Sequence, residues 1–209
     1  MRLAEIDLID SPLVLDAMDL AQTHSETWLF NHVMRSWLFG VCIAQKTNLN
    51  VEPELLAVAT VLHDLGLTPK FSGPERFEVD GANAAREFLG GRGLGPQDVQ
   101  LVWDAIALHT TRSIALHKGA EVAMCQSGIA ADRLGLSLDL ISPKQVAAVL
   151  AAYPRLSMKT ELETCLCRVV REKPDTTYDN FLREMGERYI SGYAPPSFAD
   201  HLRLAPFED

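Results

Sequence analysis

The sequence predicts an all-α protein, a helical bundle of about eight or nine helices. Apolar residues recur with a helical period along most of the 209 residues. Proline and glycine interrupt this pattern at intervals typical of helix lengths. We find no convincing alternation of the kind that marks a half-buried strand. Because 47% of the residues are hydrophobic, one sizeable core can form, and we expect a single domain over residues 1–209.

Local start and stop signals place the helices. Serine followed by proline is typical of a helix N-cap, and this pair occurs at Ser11-Pro12 and Ser142-Pro143. The segment 67–77 holds two prolines and a glycine and is predicted to be a loop. The other predicted helices run from Ser25 to about Lys46, from Pro53 to HDLG (63–66), over about 79–89, from Pro96 through VWDAIALHT, over about 120–134 up to Gly135, and near 157–172 and 178–190.

Charge and composition exclude several classes of function. The net charge is −9 and there is no run rich in lysine or arginine, so we expect no nucleic-acid partner. The longest apolar runs are about ten residues, whereas a membrane span needs about 20. The N-terminal segment is too acidic for a signal peptide, and the four cysteines form no C-x-x-C pair. We therefore expect reduced thiols and a cytoplasmic protein without a membrane partner.

Polar side chains interrupt several apolar helical segments. His32, His63 and His109 lie in LFNHVMRSWLF, TVLHDLG and AIALHT, and Asp132 lies in SGIAADRLG. Asp64 follows His63 directly. An ionised carboxylate is costly in the interior unless it is paired or bound to a metal. Each residue also has an ordinary interpretation: a hydrogen-bonded core histidine, an ion pair between Asp132 and its neighbour, or an aspartate that faces water at a helix end.

Taken together, these groups favour a metal site. Neutral imidazole and carboxylate are ligands of Zn²⁺, Mn²⁺ and Fe²⁺, and two aspartates offset the charge of a divalent ion. Adjacent residues on a helix project about 100° apart, so His63 and Asp64 cannot both face one atom from the middle of a helix. We expect the helix to end there, with Gly66 releasing the backbone so that both side chains turn toward the ion.

The order of His32, His63-Asp64 and Asp132 resembles the HD-domain superfamily of metal-dependent hydrolases over roughly residues 25–135. The segments RFEVDGANAAREFL (76–89), AIALHT (105–110) and GIAADRLG (128–135) are similar to its cyanamide hydratase-like branch. The resemblance implies a metal-binding core at about 25–135, followed by C-terminal helices and a Pro-rich tail over 142–209. It also implies that His32, His63, Asp64 and Asp132 are the ligands of one divalent metal, commonly zinc, with iron, manganese or another divalent ion as alternatives.

Further roles follow from the same comparison. Relatives with two metals carry additional histidines after the HD pair, but this chain has Glu78 and Asp80 there, which favours a mononuclear site. Asp64 or Asp80 could accept a proton from water. His109 is a candidate for substrate contact, for support of the ligands or for a purely structural role. Arg35 could reach the pocket, although an exposed ion pair is the interpretation we favour for it.

A metal that activates water for attack on a small electrophile is the function these features predict. Hydration of a small nitrile-type molecule such as cyanamide comes first, because the segments near the ligands carry few cations. The alternative is an HD-type phosphohydrolase, a nucleotidase or phosphodiesterase. A di-iron oxygenase and a non-catalytic binding protein are further hypotheses. A small-molecule substrate is the expected partner, and a homo-oligomer is left open.

Overall fold

The all-α prediction is confirmed by a computed structural model that describes residues 2–3 and 6–207. Within these residues the chain forms eleven α-helices, and the helices beyond the predicted number are short. Two-residue strands β1 and β2, Arg2–Leu3 and Ile6–Asp7, pair antiparallel at the N-terminus. The helices are α1 (Pro12–His24), α2 (Thr27–Lys46), α3 (Pro53–Leu62), α4 (Phe77–Leu89), α5 (Pro96–Ala107), α6 (Arg112–Ala115), α7 (Ala120–Leu134), α8 (Pro143–Ala152), α9 (Met158–Glu172), α10 (Leu182–Tyr189) and α11 (Phe198–Arg203).

Helix starts follow the predicted capping signals, with one shift. Ser11 accepts a hydrogen bond from the backbone N–H of Val14 at the start of α1. Ser142 and Gln145 form a reciprocal capping box at the start of α8. Helix α2 begins two residues later than predicted, because Ser25 ends α1 instead, where its backbone N–H donates to the carbonyl of Ala21.

Helices α2 and α7 cross closely, and this crossing determines where the polar side chains meet. A Cβ atom on Gly128 would lie 2.1 Å from the carbonyl oxygen of Ser36, and one on Gly40 would lie 2.9 Å from the carbonyl oxygen of Met124. Only glycine permits backbones to approach this closely. The two helices run antiparallel. His32 lies one turn before Ser36 on α2 and Asp132 lies one turn after Gly128 on α7, so these two side chains face each other.

Gly66 has a different role from the predicted one. Helix α3 ends at Leu62, and a 3-10 turn over Leu65–Leu67 follows the HD pair. A Cβ atom on Gly66 would lie 1.9 Å from the carbonyl oxygen of Phe77. Gly66 therefore allows the first turn of α4 to pack against the segment after His63-Asp64, which fixes the site rather than loosening it.

The chain divides into two compact units, residues 1–161 and 162–209, and all the candidate site residues lie in the first. The four cysteines are free thiols, and three of them are buried. Burial raises the pKa of Cys42 to about 11 and that of Cys125 to about 12. Among the described helices, none is long and apolar enough to cross a bilayer.

Candidate metal centre

His63 and His109 are oriented in the same way, each just past the end of a helix. The Nδ1 atom of His63 lies 2.7 Å from the carbonyl oxygen of Thr60, and that of His109 lies 2.7 Å from the carbonyl oxygen of Ile106. A carbonyl oxygen only accepts hydrogen bonds, so Nδ1 carries the proton in both rings. In a neutral ring, this leaves a lone pair on each Nε2.

His32 is oriented by a side chain instead. Its Nδ1 lies 2.6 Å from Oδ2 of Asp132, and both side chains are fully buried. The carboxylate accepts the Nδ1 proton, so the Nε2 atom of His32 also presents a lone pair. The Nε2 atoms of His32, His63 and His109 are all buried and have no hydrogen-bond partner.

Asp64 lies among these three nitrogen atoms. Its Oδ2 is 3.1 Å from Nε2 of His63 and 3.5 Å from Nε2 of His32, while its Oδ1 is 3.5 Å from Nε2 of His109. Single donor atoms of His32, His63 and Asp64 all lie within 4.8 Å of one another. His109 is not part of that group, but its Nε2 atom borders the same carboxylate. Buried acceptors that face one another in this way are an arrangement that a cation would stabilise.

The electrostatics of the site favour neutral rings for His32 and His109 and an ionised carboxylate for Asp64. Burial lowers the pKa of His32, and it lowers the pKa of His109 well below its ordinary value. Burial acts to raise the pKa of Asp64, but the neighbouring His63, His109 and His32 outweigh it and hold that pKa below its usual range. Neutral imidazoles and an ionised carboxylate are the forms that coordinate divalent ions.

Asp132 lies on the far side of the His32 ring and is held by two arginines. Its Oδ1 accepts from Nε of Arg35 at 2.7 Å and from Nη1 of Arg155 at 3.0 Å. Its Oδ2 accepts from Nη2 of Arg35 at 2.9 Å as well as from His32. Burial acts to raise the pKa of Asp132, but the hydrogen bonds from His32 and Arg35 outweigh it and lower that pKa.

The structure therefore brings together three of the four predicted ligands, His32, His63 and Asp64. Asp132 and His109 lie outside this group, Asp132 beyond the His32 ring and His109 beside Oδ1 of Asp64. Arg35 is fully buried, so the exposed ion pair favoured for it from the sequence is wrong. Its Nη1 atom also donates to the backbone carbonyls of Tyr153 and Pro154, at 3.0 and 3.2 Å. His32, Arg35, Asp132 and Arg155 form what we call the carboxylate clamp.

Asp80 fixes a loop. Its Oδ2 accepts from the backbone N–H of Gly73 at 2.9 Å, and its Oδ1 accepts from that of Glu75 at 3.3 Å. A Cβ atom on Gly73 would lie 2.6 Å from Oδ1 of Asp80, so the loop and the carboxylate are in close contact. These contacts give the predicted proton acceptor Asp80 a structural role in holding the segment before α4.

Glu78, two residues before Asp80, is fully buried and contacts Thr110, the residue after His109. Its Oε1 accepts from the hydroxyl of Thr110 at 2.6 Å and from Nη2 of Arg76 at 3.0 Å, and its Oε2 is buried without a hydrogen-bond partner. The Nε atom of Arg133 is also buried and without a partner. Arg133 lies within electrostatic reach of Asp64 and Glu78, so one cation borders the acceptor cluster.

Sequence reasoning missed the roles of Arg35, Arg155, Glu78 and Thr110. A signal was present for Arg35, which lies in an apolar segment at i+3 from His32 and therefore on the same helix face. Arg155 follows α8 in a connecting segment, and nothing local indicates that it reaches Asp132. For Glu78 the acidic side chain was noted, but its contact with Thr110 joins segments 32 residues apart.

Comparison with known proteins gives one family. The family model described as the HD domain matches residues 29–166, which is more than half of the chain. This range contains His32, His63, Asp64, His109 and Asp132. The search of curated proteins gives no match.

Proposed function

The chain belongs to the HD-domain family, and from that premise we propose that it is a metal-dependent enzyme that adds water to a small nitrile-type molecule. The family is a superfamily of metal-dependent hydrolases, which supports water as the attacking reagent. The observation that carries the metal is the cluster of buried acceptors around Asp64. Three imidazole nitrogens with free lone pairs face one carboxylate, and no hydrogen-bond donor from the described residues lies among them. Such a set of donor atoms suits a divalent cation.

His32, His63 and Asp64 would hold the ion. Zinc is our first choice because it readily binds imidazole nitrogen and carboxylate oxygen. A divalent ion held there would lower the pKa of water and so would supply hydroxide near neutral pH. The cysteines are not among the ligands, and their raised pKa values keep Cys42 and Cys125 as thiols. We assign one ion to this donor set.

Burial of the cluster supports a small substrate. The three histidines are fully buried and Asp64 is 4% exposed, so a bulky molecule would have little access to the reacting atoms. In hydration of a nitrile, water oxygen forms a bond to carbon and one water proton passes to nitrogen, which gives an imidic acid. The remaining hydroxyl proton then moves to the same nitrogen, which gives the amide. Asp64 Oδ1, which faces His109 rather than the other two histidines, is the atom we assign to carry the first of these protons.

Phosphate-ester hydrolysis is the second candidate, and Arg133 is the observation that favours it. A buried guanidinium nitrogen without a hydrogen-bond partner could donate to a phosphate oxygen. Arg133 supplies a single positive charge, and the carboxylates of Asp64, Glu78 and Asp132 lie near it. Because negative charge predominates there, we place this candidate second.

The two candidates separate in one assay. Zinc-loaded protein is supplied with cyanamide, with urea as the product measured, and in parallel with nucleoside monophosphates, with free phosphate measured. We expect urea to form and phosphate release to stay at background. Phosphate release that disappears in His63→Ala, with no urea formed, would put phosphohydrolase activity first.

Removal of Asp64 tests the assignment of the site. In Asp64→Ala we expect urea formation to be lost and zinc binding to weaken, because a ligand and the proton acceptor go together. Asp19→Ala, which removes an exposed carboxylate on α1, is the matched control and should behave as the wild type. Unchanged turnover in Asp64→Ala would refute the role given to this residue.

A further inference from the structure

We propose that His109 supplies the fourth protein ligand of the metal and that Asp132 is a positioning residue that acts through His32. This inference rests on the metal centre of the proposed function, and it departs from the ligand set that the family resemblance implies. It concerns only which side chains contact the ion, and it holds whichever electrophile is the substrate.

The oxygens of Asp132 are already occupied. Each oxygen has two charged or polar donors within 3.0 Å: Arg35 and Arg155 at Oδ1, and His32 and Arg35 at Oδ2. For Asp132 to bind the ion, its hydrogen bond with His32 would have to break. The buried Arg35 would also lose one of its two hydrogen bonds to this carboxylate. Leaving a buried guanidinium without a carboxylate is strongly destabilising.

The hydrogen bond between Asp132 and His32 orients the His32 ring. Metal-binding histidines commonly donate the second ring N–H to a carboxylate, which fixes the tautomer and the ring orientation. Asp132 does this at Nδ1 of His32, 2.6 Å away, so that Nε2 of the same ring faces Asp64. The arginines hold the carboxylate, and the carboxylate holds the ring.

His109 repeats the arrangement of His63 in each respect. Both rings donate from Nδ1 to a carbonyl oxygen three residues earlier, and both direct a buried, unpartnered Nε2 toward Asp64. Their rings lie 4.8 Å apart between centroids. A histidine with only a packing role would leave that nitrogen buried without a partner, which destabilises the fold.

X-ray absorption spectroscopy of the zinc-loaded wild-type protein tests this directly, because multiple scattering from imidazole rings reports how many histidines bind the ion. We expect a fit with three imidazoles and one carboxylate among the protein ligands. A fit with two imidazoles and two carboxylates would overturn the proposal. This measurement needs no variant, so misfolding of a mutant cannot affect it.

Variants then assign the ligands. His109→Gln should reduce the count from three imidazoles to two, and an unchanged count would overturn the proposal. Asp132→Asn should keep all three imidazoles and the same carboxylate contribution, with zinc affinity reduced about 10–100-fold. Loss of an oxygen ligand in Asp132→Asn would identify Asp132 as a ligand. His117→Gln, at an exposed histidine, is the control and should leave both the count and the affinity unchanged.

The tautomer of His32 gives a readout that general destabilisation would not change. In the metal-free wild type, nitrogen NMR shifts should show the proton on Nδ1 of His32. In Asp132→Leu, which cannot accept a hydrogen bond, that preference should be lost while His63 and His109 keep theirs. If the protein has three imidazole ligands but forms no urea, this inference holds and the proposed reaction is wrong. If it has two imidazole ligands and forms urea, the reaction holds and this inference is wrong.

Discussion

Two sides of the acceptor cluster are built by different means. His63 and His109 are oriented by backbone carbonyls three residues earlier, so each lies in a short local motif at a helix end. His32 is oriented by a carboxylate 100 residues away, which is held in turn by Arg35 and Arg155. The comparison shows that the same ring orientation can come from local backbone geometry or from a long-range network of charges, and that only the second can be removed by mutation.

The largest expected effect comes from breaking the clamp. Arg35→Ala removes a fully buried guanidinium and leaves the Asp132 carboxylate with Arg155 and His32 only. We expect the free energy of unfolding to fall by about 3–5 kcal/mol, since one partner of a buried pair is lost. Chemical denaturation measures it.

An exposed pair provides the control for this prediction. Arg92 and Asp16 are paired on the surface, with side chains 37% and 53% exposed, so Arg92→Ala should cost about 0–1 kcal/mol. Equal losses of unfolding free energy in the two variants would contradict the view that the clamp stabilises the fold. The further expectation is that Arg35→Ala perturbs His32 while leaving the orientation of His63 and His109 unchanged.

The difference between the two sides also explains what the sequence could predict. The helix ends, the HD pair and the apolar surroundings of His32, His63 and His109 are local features. They predict the correct fold class, and they single out the four residues His32, His63, Asp64 and His109. The position of Asp132 depends on the approach of α2 and α7 at Gly40 and Gly128, which no local pattern reveals.

Side chains that reach across the fold were missed for the same reason. Arg155 contacts Asp132 from a connecting segment, and burial of Arg35 depends on the carbonyls of Tyr153 and Pro154, more than a hundred residues later. For Asp80 the sequence leaves two roles open, proton acceptor or a capping or surface acid. Its two oxygens accept backbone hydrogen bonds from the loop before α4, a contact that no local sequence pattern reveals.

A smaller effect is expected when the helix crossing is disturbed. In Gly128→Ala the new Cβ atom would lie 2.1 Å from the carbonyl oxygen of Ser36, so α2 and α7 must separate. Overpacking of this kind costs about 1–3 kcal/mol, and thermal or urea unfolding measures it.

The clamp side should also lose metal affinity in this variant, because Asp132 moves with α7. Gly119→Ala is the matched control: its Cβ atom would meet only the flexible end of Glu121, at 3.7 Å, and the expected cost is about 0.5 kcal/mol. A Gly128→Ala protein as stable as the wild type would show that the close crossing is not required.

The smallest effect is a dependence of stability on pH in the metal-free protein. Burial lowers the pKa of His32 and His109, whereas the unfolded chain titrates at about 6.5. Below about pH 6.5 the unfolded state binds more protons than the folded state, so the free energy of unfolding falls as the pH falls. The slope is about 1.4 kcal/mol per pH unit for each histidine that stays neutral in the fold.

Urea unfolding at several pH values between about 7.5 and 5.5 measures this slope. His109→Gln should reduce it, because one buried neutral imidazole is gone, and His117→Gln should leave it unchanged. Asp64 and Asp132 contribute little here, since their lowered pKa values keep both carboxylates ionised across this range in either state. An identical slope in His109→Gln and the wild type would contradict a neutral, buried His109.

The central claim is that the buried acceptors around Asp64 bind a divalent ion. The most direct measurement is elemental analysis of protein purified without chelators, with metal quantified per chain for the wild type and for Asp64→Ala. We expect one divalent ion per chain in the wild type, zinc first among the candidates, and a large loss of metal in the variant. A wild-type protein that holds no metal, even after incubation with zinc and dialysis, would contradict the account.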